Sequence, residues 1–67
     1  MIVINENSTY QLINTLNTKY QGNYQILEKW IEDDEGLIIA KGWRTCGIYW
    51  NKSTAFEDFK KLSKGVI

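Results

Sequence analysis

A single cysteine, Cys46, and no histidine deny this chain the two staples on which small domains commonly rely. One thiol closes no intrachain disulfide, and a metal site would have to be assembled around it from scattered carboxylates. A chain of 67 residues buries only about 60% of the surface its unfolded state exposes, which leaves a net stability of a few kcal/mol. Dense packing or association with a partner must therefore hold it together. Three Trp, four Tyr and two Phe favour packing, because each large ring can bury about 150–250 Å².

The lone thiol fits a reducing compartment. Met1-Ile2-Val3-Ile4 runs into Asn5 and Glu6 too soon to read as a secretion signal. No stretch approaches the ~20 apolar residues of a membrane span. The expectation is a cytoplasmic protein without cofactor or metal. Its proline-free composition, rich in Asn, Ile, Lys and Tyr, suggests a low-GC bacterium or its phages and plasmids.

Periodicity and turn chemistry predict one α+β domain over residues 1–67, ordered β-α-β-β-β-α. The sheet is expected to be mainly antiparallel, with both helices on one face. Met1 to Ile4 reads as an edge strand. Asn7-Ser8 offers cap oxygens for a helix over 9–20, with Leu12, Ile13, Leu16 and Tyr20 as its apolar stripe. Residues 24–32 form a strand with a bulge near Leu27-Glu28. Asp33-Asp34-Glu35-Gly36 is a hairpin signal. Residues 37–43 form a second strand, apolar on both faces at Leu37-Ile38-Ile39-Ala40 and therefore expected at the sheet centre. Arg44-Thr45 reads as a turn, and 46–50 as a third strand with Cys46 on its apolar side. The last helix is capped by Ser53 or Thr54, with Thr54 and Glu57 at capping-box spacing and Glu57 and Asp58 in its first turn. It buries Ala55, Phe56, Phe59 and Leu62 and ends at Gly65.

Catalytic constellations are missing from the sequence. Asp33, Asp34 and Glu35 are adjacent carboxylates, but a hairpin turn is expected to leave them in water, without the burial that acid/base chemistry needs. Cys46 has no histidine to activate it. Gly36, Gly42 and Gly47 match no phosphate-binding loop. The expectation is a protein that is not an enzyme and acts by binding.

Charge is bipolar along the chain although the total is zero. Glu28, Glu32, Asp33, Asp34 and Glu35 stand against Lys29, and Lys41, Arg44, Lys52, Lys60, Lys61 and Lys64 against Glu57 and Asp58. The basic set, Lys41, Arg44, Lys52, Lys60, Lys61 and Lys64, is the candidate nucleic-acid surface. The predicted order of helix, three strands and helix, with Trp50-Asn51-Lys52-Ser53-Thr54-Ala55 opening the last helix, resembles a double-stranded RNA-binding domain. That likeness implies a helix start lying on phosphate. It departs from the family at the acidic hairpin, which would repel phosphate, and at Lys52, which stands alone. Lys41, Trp43, Arg44 and Tyr49 also resemble the sheet face of AP2-like DNA-binding arms.

Protein binding is the preferred reading. Leu12, Ile13, Leu16, Ile26, Ile39, Ile48, Phe56, Phe59 and Leu62 already fill the expected core, so the large rings are in surplus. Two helices on one face leave the other open. Trp30, Trp43 and Tyr49, ringed by Lys41 and Arg44, are the candidate protein-binding residues. The partner is then a protein of unknown identity or a second copy of the chain. The expected role is a small accessory protein, such as a phage or mobile-element inhibitor of a host or defence protein.

Overall fold

A computed structural model describes residues 1–16 and 23–66. Four strands follow one another as an antiparallel meander: β1 (Ile2–Glu6), β2 (Tyr10–Asn14), β3 (Tyr24–Asp34) and β4 (Leu37–Tyr49), in spatial order β1-β2-β3-β4. One helix, α1 (Lys52–Leu62), closes the chain and packs on β2, β3 and β4. The expected β-α-β-β-β-α order with two helices is therefore overturned: among the described residues there is a single helix, on a four-stranded sheet.

The error lies at residues 9–16. Asn7 does supply a cap, but to a hairpin turn rather than a helix. Its Oδ1 accepts from the backbone N–H groups of Thr9 and Tyr10, at 2.9 and 2.7 Å. Asn14 Oδ1 likewise accepts from the N–H of Leu16, which sits at φ 61°. Asn and Thr side chains offer the backbone these local alternatives, and so compete with helix. Leu12 and Ile13 are buried by sheet pairing, whereas Leu16 is exposed; Tyr20 lies outside the described residues.

The second half of the sheet is also rearranged. Residues 37–49 form one continuous strand, because Arg44 and Thr45 pair with Glu28 and Leu27 instead of turning. The irregularities sit in β4: its register with β3 shifts at Cys46 and again at Ile39. Cys46 is thereby exposed rather than buried. Glu35 (φ 51°) and Gly36 (φ 84°) make the two-residue link between paired Asp34 and Leu37. Positive φ at both central positions defines the hairpin turn whose twist matches its strands.

Asn51 caps α1, in place of Ser53 or Thr54. Its Oδ1 accepts from the Thr54 N–H at 2.9 Å and from the hydroxyls of Ser53 and Thr54 at 3.0 and 2.8 Å. Starting the helix at Lys52 moves Glu57 and Asp58 out of the first turn. The helix stops at Leu62 with Ser63 as C-cap, and Gly65 takes a positive φ of 87° beyond it. Ser63 Oγ accepts from Asn7 Nδ2 at 2.8 Å, tying the helix end to the β1–β2 turn.

The core is small. Leu12, Ile26, Ala55 and Phe59 form it, with Ile4, Tyr10, Tyr24, Tyr49 and Phe56 packed around them. Ile39, Ile48 and Leu62, expected inside, are exposed. The Cα radius of gyration is 13.2 Å, against about 11 Å for a compact domain of this length. The longest extent is 42 Å and the shortest 15 Å. A core this slight fills only part of such a shape, and the remainder is a projection.

Candidate functional site

The projection follows from unequal strand lengths. β2 pairs with β3 only from Tyr24 to Glu28, and the last tie to the body is the Lys29 N–H donating to Thr9 O at 2.8 Å. Beyond that point β3 and β4 continue alone as a two-stranded ribbon over residues 29–43. The Leu37-Ile38-Ile39-Ala40 run, expected at the sheet centre, lies here on the outermost strand. Being apolar on both faces, it is exposed on both. Leu37, Ile38 and Ile39 are 69%, 57% and 58% exposed, and Ile31 on the facing strand 53%. Isolated ribbons are marginal in water, so this surface is costly to keep uncovered.

Pairing distributes the arm's side chains between two faces. Trp30 pairs with Gly42, Glu32 with Ala40, and Asp34 with Leu37; these stand on the side that carries α1 nearer the body. Lys29 pairs with Trp43, Ile31 with Lys41, and Asp33 with Ile38, on the outer side. Trp30 and Trp43 thus belong to opposite faces and do not form one patch. Trp30 is 37% exposed and its indole lies over Gly42; Trp43 is 36% exposed. Lys29, Lys41, Gly42 and Trp43 line a depression of about 290 Å³. It falls just short of the about 300–1,000 Å³ of small-molecule sites.

The other proposed residues are placed elsewhere. Tyr49 is half-buried, packs on the core, and folds its ring back over Gly47. Its hydroxyl donates to Asp58. Burial first, then that hydrogen bond and the Asp58 charge, push its pKa up to about 12. Arg44 stays at the arm's base, its Nη2 2.8 Å from Glu28 Oε1. With side chains 67% and 31% exposed, that ion pair contributes about 0–1 kcal/mol. The Cys46 thiol has its pKa raised, by desolvation first and then by the Glu28 carboxylate.

The basic residues do not converge. Lys41 is on the arm's outer face, Arg44 on the opposite face beside Glu28, and Lys60, Lys61 and Lys64 follow along the helix and its C-terminal turn. Lys52 at the helix start lies over the Phe56 ring, 5.6 Å from its centroid. Among the described residues no group of three or more His, Cys, Asp or Glu side chains is placed to hold a metal ion. No helix there is long and apolar enough to cross a membrane.

Sequence reasoning missed the aliphatic members of the surface, Ile31, Leu37, Ile38 and Ile39. Their signal in the sequence is an apolar run that does not alternate, a pattern that also predicts a strand buried on two faces. A two-stranded arm with neither face covered has the same signature. No protein-family model, curated protein or solved structure matches this chain.

Proposed function

We propose that this protein acts by protein–protein binding, with no chemistry of its own, and that the β3–β4 arm is its docking element. The supporting observation is a ribbon that leaves Ile31, Leu37, Ile38 and Ile39 more than half exposed, at the end of a molecule whose buried core has few residues. Interfaces place apolar and aromatic side chains at the centre and charge at the rim. The arm carries Trp30 and Trp43 at its base and four carboxylates, Glu32, Asp33, Asp34 and Glu35, around its tip. A protein surface with an apolar groove and a basic rim is the complementary shape. A cytoplasmic accessory role, blocking a host or defence protein, accords with the size and composition.

Nucleic acid is the weaker reading. Its acidic tip repels phosphate, and its cations are divided between the two arm faces and the helix.

Comparative capture from the native cytosol tests the proposal, using wild type, an arm variant (Ile38→Lys with Trp43→Ala) and a helix variant (Lys60→Glu with Lys64→Glu). Bound protein should be lost with the arm variant and kept with the helix variant. Loss that follows the helix lysines instead, together with salt-sensitive binding to mixed DNA or RNA, would overturn it.

A further inference from the structure

We infer that the depression at the base of the arm is a subsite for an acidic side chain of the protein partner, one that stands next to an aromatic residue. The inference rests on the docking role proposed above and adds the chemistry that the partner brings to the arm's outer face.

Strand pairing builds the site. Lys29 stands opposite Trp43, and Lys41 lies two residues from Trp43 along β4, so all three side chains leave the same face. Together with Gly42 they line the depression of about 290 Å³. Lys29 and Lys41 are diagonal neighbours, about 7–8 Å apart at the backbone. Their flexible four-carbon stems let both ammonium groups reach one anion between them. Among the described residues the ion pair is Arg44 with Glu28, on the opposite face, and neither Lys29 nor Lys41 has one. Neighbouring like charges repel, and a carboxylate seated between the two lysines removes that cost.

Charge order along the arm selects the class of ligand. From base to tip the outer face carries Lys29 and Lys41, then Asp33 in the next pair, with Glu32, Asp34 and Glu35 around the turn. A nucleic-acid strand bears a charge at every phosphate, so one laid along this face meets repulsion one pair beyond the lysines. A peptide can place a single carboxylate at the base and turn apolar or basic groups towards the tip. The reversal of sign therefore favours a protein segment.

Trp43 adds the second requirement. Its ring walls the depression beside both cations and is 36% exposed. Aromatic pairs gain from stacked or edge-to-face contact beyond the area they bury, so an aromatic neighbour of the carboxylate makes use of the exposed ring. Lys41 is exposed and Lys29 half-buried, so the charge contacts are screened by salt and the subsite alone binds weakly. Its part in docking is to fix which segment of the partner meets the arm's base.

NMR titrations of the intact chain at low salt read the subsite directly. The probes are two blocked tetrapeptides, Gly-Glu-Phe-Gly and Gly-Phe-Glu-Gly, their Gln counterparts, inorganic phosphate and a thymidine tetranucleotide. At least one Glu peptide should move the Trp43 indole N–H signal and saturate in the millimolar range, and its Gln counterpart should bind more weakly. Lys29→Gln and Lys41→Gln should each weaken the Glu peptide about two- to fivefold. Lys29→Arg with Lys41→Arg should preserve binding with unchanged circular dichroism, because the charge is kept. Equal binding of Glu and Gln peptides overturns the inference, as does a Trp43 signal that neither Glu peptide moves. Tighter binding of phosphate or the tetranucleotide overturns it in favour of a phosphate site. Capture separates the subsite from the docking role: Lys29→Glu with Lys41→Glu should lose the protein that wild type captures. If that variant keeps it while the arm variant loses it, the subsite falls and the docking role stands. If both variants keep it, both readings fall.

Discussion

The Trp30 indole lies across Gly42, its cross-strand partner, so closely that a Cβ on Gly42 would stand 2.9 Å from Nε1 of the ring. An aromatic laid over a strand glycine shields the bare backbone and stiffens a ribbon that has no third strand. Gly42→Ala should lift the ring off the strand. Because Trp30 can swing into solvent, the cost falls at the low end of overpacking, about 1 kcal/mol. With Trp43 and Trp50 both changed to Phe, the remaining Trp30 emission should shift to the red in Gly42→Ala and be unmoved by Gly36→Asn at the turn.

Tyr49 and Asp58 couple β4 to the helix through one hydrogen bond. Spectrophotometric titration should show Tyr49 ionising near pH 12. Asp58→Asn should bring it down towards its ordinary value of 10. The folded pKa lies above the unfolded one, so the stabilising contribution is complete below about pH 10. It is lost as pH rises from there to about 12. Tyr49→Phe should flatten that part of the stability–pH curve.

Leu12 and Ile26 are fully buried cross-strand partners under α1. Leu12→Ala should cost about 2–5 kcal/mol, which approaches the whole stability of so small a domain. Ile38→Lys, on the arm, should change stability by no more than about 0.5 kcal/mol. Urea titrations of the two variants separate core from projection: the first should be largely unfolded without denaturant, and the second should match wild type.

Asn51 Oδ1 gathers three hydrogen bonds at the start of α1. Asn51→Ala should lower stability by about 1 kcal/mol, and Asn51→Asp should retain most of it. Thr54→Ala, which leaves the Thr54 N–H in place, should be milder than Asn51→Ala. The reverse ranking by thermal unfolding would assign the cap to Thr54.

Much that is local in this protein could be read from its residues alone. The final helix follows from the spacing of Ala55, Phe56, Phe59 and Leu62, and the hairpin from Glu35-Gly36, because such patterns act within a few residues. That no disulfide links two of these residues follows from the single thiol, Cys46. Other features were decided only in three dimensions. Leu12, Ile13 and Leu16 sit at helical spacing, yet Asn7 and Asn14 turn the backbone into hairpin geometry, where Leu12 finds Ile26 across the strand. Leu37 to Ala40 is apolar on both faces whether a strand is central or projects uncovered. Its position depends on how far β2 extends along β3, which is a property of pairing rather than of either strand. Local chemistry therefore determined the turns and the last helix, and long-range pairing decided which apolar residues became core and which became the arm.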